Sequence, residues 1–235
     1  MIKVSEIEEI VKRVIKKTIN KFRENPLYFF TESDLHSYFY SRIYSGKLEV
    51  VRNNKRICLI HREYPTNFRY YKKEMVQDDY RDPYPLADKK GYRGHYDMVV
   101  INPEFAEKYY DNISDIKHII NKDVGFLEQR VNDDIKSVKK ELIYAIEFKY
   151  VINNSKQFID EVKADNKKLL FSTRWGARHA VNLVFCNIKD SRNVEAVREE
   201  VKKAPKEINS YFIQSWYDNN GKKHTPISSK RPLNH

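Results

Sequence analysis

Ten consecutive residues, Leu142 to Val151, read Leu-Ile-Tyr-Ala-Ile-Glu-Phe-Lys-Tyr-Val. A run so rich in aliphatic and aromatic residues fits a strand covered on both faces, at the centre of a sheet with helices packed on either side. Glu147 and Lys149 break the run, and being two residues apart they project from the same face. A carboxylate buried in such a place costs several kcal/mol unless it is paired or holds a metal. The segment from His95 to Ile101 carries the same conflict, with Asp97 directly before Met98, Val99, Val100 and Ile101 and a stop at Asn102-Pro103. The arrangement of least cost brings these groups together at one wet cleft.

The rest of the chain supplies the layers around such a sheet. From Val4 to Arg23, residues Ile7, Ile10, Val11, Val14, Ile15, Thr18 and Phe22 recur at three and four, which predicts a helix ended by Asn25-Pro26. Its other face is Lys12, Arg13, Lys16, Lys17 and Lys21, read either as a solvated surface or as a face for DNA or a membrane. Thr31 with Asp34 is a capping box that opens a second helix through Leu35, Phe39 and Ile43 to Gly46. Leu48 to Arg52 and Arg56 to Ile60 read as a hairpin about Asn53-Asn54, and Pro65 to Asp88 as an irregular polar and aromatic stretch. Glu104 to Lys140 reads as a helical insertion. Beyond the Leu142 strand come a helix (Ser155 to Ser172), a strand (Ala180 to Asn187), a helix (Asn193 to Ala204) and a last strand (Ser210 to Tyr217). This predicts one α/β domain over residues 1–217, with a mixed sheet flanked by helices, 1–46 as its N-terminal helices and 104–140 as the insertion. From Asp218 to His235 a mobile tail is expected.

Two acids converging at a few ångström repel each other, so a divalent cation between them is expected, and hard oxygen ligands suit Mg²⁺ or Mn²⁺. Lys149, on the same face as Glu147, would orient or deprotonate a water and offset phosphate charge. That is equipment for hydrolysing a phosphodiester.

The residues Gly94-His95-Tyr96-Asp97-Met98-Val99-Val100-Ile101, followed by Ala145-Ile146-Glu147-Phe148-Lys149, resemble the PD-(D/E)XK nucleases, the restriction-endonuclease-like superfamily, with Tyr96 in place of the motif's Pro. The resemblance runs from Thr31 to about Tyr217 and implies that family's αβββαβ core. It implies Asp97, Glu147 and the carbonyl of Phe148 as metal ligands and Lys149 as the catalytic lysine. Members often carry one more acid ahead of the Asp. Glu63, directly after the hairpin, is preferred here, with Glu32 at the start of the second helix as the alternative. Asp165 reads as a plain helix-face acid, and Gln157 and Lys163 as residues that could face the scissile phosphate.

Charge agrees with a polyanionic partner: 44 Lys and Arg against 33 Asp and Glu give a net +11. Arg69, Tyr70, Tyr71, Lys72 and Lys73, then Arg81 and Arg93, interleave bases with rings, as phosphate contacts and base stacking require, and Arg174 next to Trp175 repeats the mixture. DNA is the expected partner, and two copies are expected if both strands are to be cut. No apolar run approaches the roughly 20 residues of a membrane span. Glu6, Glu8 and Glu9 exclude a secretory signal, and Cys58 and Cys186 make neither a disulfide framework nor a closed zinc site. A reduced, cytoplasmic protein is expected. Two rivals to the nuclease stay open: a nucleic-acid-binding protein of the same fold that cuts nothing, and a basic scaffold or membrane-surface protein.

Overall fold

The computed structural model describes residues 2–44, 48–52, 54–76, 82–85, 90–109 and 141–226. Helix α1 (Val4–Glu24) buries Ile7, Val11, Val14, Ile15, Thr18 and Phe22 along one stripe and leaves Lys12, Arg13, Lys16 and Lys17 exposed. Asn25 ends it, and Pro26 opens a single 3₁₀ turn (Pro26–Tyr28). Helix α2 (Glu32–Ile43) begins with the expected box. Thr31 Oγ1 accepts the Asp34 N–H at 3.2 Å, and Asp34 Oδ2 accepts the Thr31 N–H at 2.8 Å.

Strands β1 (Glu49–Arg52) and β2 (Lys55–Cys58) pair as a separate two-stranded hairpin, with Asn54 left-handed at its turn. The chain then enters the main sheet as β3 (Ile60–Tyr70), an eleven-residue strand where an irregular stretch from Pro65 was expected. Tyr64, Thr66 and Phe68 alternate inward, and Pro65 is tolerated because the next strand out, β4 (Tyr84–Pro85), pairs only with Phe68 and Arg69. Between them lies a single helical turn, α3 (Lys72–Met75). Strand β5 (Tyr92–Ile101) is followed by α4 (Pro103–Tyr109), which seats Phe105 and Ala106 in the core; the remainder of the expected insertion lies outside the described residues. Then come β6 (Leu142–Val151), α5 (Gln157–Trp175), β7 (Ala177–Cys186), α6 (Arg192–Lys202) and β8 (Ile208–Gln214).

The six strands lie in the order β4-β3-β5-β6-β7-β8. Strand β5 is antiparallel to both its neighbours, β3 and β6, whereas β6, β7 and β8 are parallel and joined through α5 and α6. The result is an α/β domain with a mixed central sheet. On β6, Phe148 and Tyr150 face α2, the 3₁₀ turn and Phe22, while Glu147 and Lys149 face α5. Helices therefore cover both faces, and β6 lies among the innermost strands, as its composition requires. A smaller apolar cluster (Val162, Val184, Val194, Val197, Val201 and Phe212) holds α6 down.

Past β8 the expected mobile tail is corrected in part. β9 (Trp216–Tyr217) pairs antiparallel with β10 (Lys223–His224), His224 stacks on Trp216 at 5.2 Å, and Asp218 accepts from both His224 and the turn amides. Residues 227–235 of that tail lie outside the described residues. No helix among the described residues is long and apolar enough to cross a membrane.

Candidate functional site

The site is built on a fork in the sheet. Pairing between β5 and β6 runs from Ile101 opposite Leu142 to Met98 opposite Ile146, and the two strands then part. Two amides of β6 on the vacated side, those of Phe148 and Tyr150, must find other acceptors. The Phe148 N–H donates to Asp97 Oδ2 at 2.7 Å and the Tyr150 N–H to Glu32 Oε2 at 3.1 Å. Glu32 reaches this place because the capping box fixes it in the first turn of α2, and the Tyr150 hydroxyl donates to the Phe29 carbonyl at 2.7 Å, pinning that helix start to the strand.

His36, one turn along α2, turns its ring onto Phe148 (4.9 Å between centroids) and sets Nε2 3.6 Å from Asp97 Oδ2. One ligand atom each from Glu32, His36 and Asp97 lie within 4.8 Å of one another. On the α5 side, Lys149 Nζ stands 3.3 Å from both Glu32 and Glu161, while Lys168 Nζ is 2.7 Å from Glu147, 3.6 Å from Asp165 and 3.0 Å from the His95 carbonyl oxygen it bonds. Five carboxylates thus surround two ammonium groups, a formal excess of three negative charges with His36 neutral. A cleft of about 300 Å³ opens on this cluster, with Tyr70, Lys149, Gln157, Glu161, Asp165 and Lys168 in its wall.

The protonation states follow from burial and neighbours. Burial pushes the Glu147 carboxyl well up, and Asp97 and Asp165 add to the push against the pull of Lys168. Asp165 is raised to about 6, chiefly by burial, with Asp97 and Glu32 contributing. Asp97 is also buried, but the His36 ring, Lys168 and the Phe148 amide outweigh burial and hold it below the usual carboxylate range. Burial alone would lower both lysines. For Lys149 the carboxylates of Asp165, Glu32, Glu161 and Asp97 reverse this, and for Lys168 those of Glu147 and Asp165 do, so both stay charged. Lys149 as placed is an electrostatic group and has no lone pair with which to deprotonate water. Of the carboxyls here, Asp165 is the one matched to accept a proton near neutrality.

Whether the site suits a cation is answered by its buried atoms. Glu147 Oε1, Asp165 Oδ2 and His36 Nε2 are buried without a hydrogen-bond partner. Buried oxygens and an imidazole nitrogen without partners are donor types that a divalent metal takes, and among the described residues the group close enough together to share one ion is Glu32, His36 and Asp97; Glu147 and Asp165 are outside it.

Of the residues expected at the site, Asp97, Glu147, Lys149 and Glu32 meet here, and the Phe148 backbone joins them through its N–H. Glu63 does not join them. It is exposed on β3 with φ 50°, a left-handed residue that drops out of the pairing between Arg62 and Tyr64. Of the two acids considered ahead of Asp97, Glu32 is the one that the structure brings to the cluster. Tyr70 lines the cleft, its ring filling the space left by Gly94, where a Cβ would lie 2.1 Å from the phenol oxygen. Arg69 and Arg93 spend donors on the Gly91 and Thr66 carbonyls. Tyr71 is exposed against Tyr84, Lys73 is exposed, and Arg174 pairs with Asp82 at 3.1 Å. Arg81 and the Lys72 side chain lie outside the described residues.

Lys168, His36 and Glu161 are not among the residues expected at the site, and Asp165, expected as a plain helix-face acid, lies 3.6 Å from Lys168 in the cleft wall. A signal for the α5 group existed: Glu161, Asp165 and Lys168 recur at four and three, forming one stripe of a helix whose neighbouring stripe is the apolar one that meets the sheet. Neither a family model nor a curated protein nor a solved structure matches this chain.

Proposed function

We propose that this chain is a divalent-metal-dependent nuclease of restriction-endonuclease-like architecture that acts on DNA. The observation that carries the reading is the acid excess at the fork of β5 and β6, with three stranded donor atoms beside two charged lysines. The path of the chain supports it. The succession α2-β3-β5-β6-α5-β7, with β5 antiparallel to both its neighbours and β6 parallel to β7, follows the αβββαβ order that the Asp97 and Glu147-Phe148-Lys149 motifs imply.

Asp97, Glu32 and His36, whose ligand atoms lie within 4.8 Å of one another, would hold the metal, Mg²⁺ or Mn²⁺, with Glu147, paired with Lys168, as the further acid that the motif implies. Such an ion supplies a more acidic bound water and charge stabilisation at a phosphoryl oxygen. Lys149 and Lys168 offset charge on the phosphate, and both are held in place by carboxylates on either side. Asp165, in the cleft wall and titrating near 6, takes up the proton of the attacking water. Tyr70 and the exposed Lys73 stand on the segment leading to the cleft mouth, where a phosphate backbone would pass.

The experiment is cleavage of labelled single-stranded, duplex and branched DNA and of RNA, with Mg²⁺, Mn²⁺ or EDTA. The parent should cut only with metal, and Glu147→Gln and Lys149→Ala should each lose cleavage by a factor of about 10² or more while keeping the fold. A second reading has its own support, because every one of these acids already has a lysine or backbone amide as partner. A parent that cuts nothing, binds no metal, and loses about 3–5 kcal/mol on Lys149→Ala would make the cluster a structural ion network in a non-catalytic nucleic-acid-binding protein.

A further inference from the structure

Phe30 is the most exposed large apolar side chain among the described residues, at 76 %. It directly precedes the N-cap of α2. An apolar residue there ordinarily folds down onto the fourth residue of the helix, which is the fully buried Leu35. Phe30 makes no such contact, although its backbone is fixed by an N–H bond to Asp34 Oδ2 at 2.9 Å. Its neighbour Phe29 takes the interior position instead. Burial within the fold therefore does not account for this ring.

Its location has a use. Glu32, in the acid cluster, is two residues away, and two residues span at most about 7 Å. Phe30 thus stands at the rim of the cluster. Two residues before it, the exposed Tyr28 carries the Lys21 ammonium 4.4 Å from its ring centroid and meets Tyr38 at 5.9 Å, and Tyr38 in turn carries the Arg42 guanidinium at 5.1 Å.

We infer that Phe30, with Tyr28 on the same segment and Tyr38 on the helix that follows, forms a stacking platform for an unpaired nucleic-acid strand, so that the substrate taken at this site is single-stranded or carries an unpaired end. A phenyl ring has no hydrogen-bonding group with which to read a groove edge. It gains from the face of a base only when that base is unstacked, and the flanking cations meet the phosphates between bases. Tyr28 and Tyr38 each carry a cation over the ring, an arrangement that serves phosphates between stacked bases rather than a purely apolar lipid contact. The inference rests on the nuclease reading for its purpose, but the binding step it describes needs no metal.

The test is therefore made in EDTA: fluorescence anisotropy of a labelled 20-nucleotide oligothymidylate and of a 20-base-pair duplex at one fixed salt concentration. Phe30→Ala should weaken binding of the oligonucleotide by about 5- to 100-fold, the usual range for one stacked base, and leave the duplex within about twofold. Phe30→Trp should retain the parent's affinity. The inference is overturned if the parent does not bind the oligonucleotide, or if Phe30→Ala weakens neither or both alike. Phe30-dependent binding to phosphatidylserine vesicles without binding to the oligonucleotide would overturn it in favour of a membrane surface. If the Phe30 effect is found but no cleavage follows on adding Mg²⁺ or Mn²⁺, the platform stands and the nuclease reading falls.

Discussion

Replacing Lys168 by Met removes the cation that faces Glu147 and Asp165 across the inner part of the cluster. At 2.7 Å, two unit charges attract by about 6 kcal/mol at an effective dielectric of about 20. The cost of drying both groups cancels part of this, and breaking a buried pair from one side costs about 3–5 kcal/mol because the partner is left charged and dry. Glu147 is 2 % exposed, so bulk solvent does not reach it to take the place of the ammonium. For a chain of this size each kcal/mol moves the melting temperature by roughly 2–4 °C, and Lys168→Met should melt about 10 °C or more below the parent. The double variant Lys168→Met with Glu147→Leu removes both charges at similar volume and should return to within about 1–2 kcal/mol of the parent, a strongly non-additive pair. Urea unfolding in EDTA, followed by the fluorescence of Trp175 and Trp216, measures all three differences. Divalent metal should recover part of the loss in the single variant, since a cation among these acids substitutes for the ammonium. A single variant within about 1 kcal/mol of the parent, with the two changes simply adding, would refute the picture of a buried, mutually dependent charge cluster.

Asp165, raised to about 6, binds its proton more tightly in the fold than in the unfolded chain. Its contribution to stability is complete below its ordinary carboxylate range and is lost as pH rises through about 6, Glu147 acts in the same sense, and Asp97, being lowered, costs stability only in stronger acid. Denaturation in EDTA should therefore show stability rising as pH falls from 7.5 to about 5.5, and saturating Mg²⁺ should flatten that rise, since protons and metal compete for the same oxygens. Thr31→Ala removes the cap hydroxyl bonded to the Asp34 amide and should cost about 1 kcal/mol in chemical denaturation, with a weaker metal affinity by calorimetry because Glu32 is no longer fixed. DNA affinity measured from 50 to 200 mM salt should fall steeply, with a log–log slope set by the phosphates neutralised, and should survive EDTA.

The sheet was legible where one physical demand acted alone. The Leu142–Val151 strand has the bounds its composition implies, because ten residues of that kind fit nowhere else. Helix α1 and the capping box of α2 came through for the same reason, one from period and the other from local hydrogen bonding. Strand β3 was missed past Pro65, although Tyr64, Thr66 and Phe68 alternate, because a proline inside a strand is tolerated only at an open stretch of edge, and which strand lies at the edge is a tertiary fact. Asp97, Glu147 and Lys149 stood out in the sequence because a charge in an apolar strand is visible locally, and the structure places all three in one charge cluster. Glu63 was preferred to Glu32 on chain order, but a left-handed backbone at Glu63 turns it out of the pairing, and no sequence pattern shows which way a loop acid points. Lys168 and His36 reach the cluster across packed layers, from positions whose periodicity says only that they face inward.

The two carboxylates that take the Phe148 and Tyr150 amides have a second consequence. Where β5 leaves β6, an inner strand is open on one side, with donors spaced two residues apart as a partnering strand would want them. Asp97 and Glu32 fill those places with side chains that cannot extend a ladder, and they add charge that repels an incoming acidic segment. Removing both at once would leave an adhesive edge in the middle of the molecule, open to a strand from another chain. The double alanine variant should then self-associate on storage, while Asp97→Asn with Glu32→Gln, which keep an acceptor at each amide, should stay monodisperse by light scattering. Substitutions meant to silence the chemistry are for this reason best made with the amides.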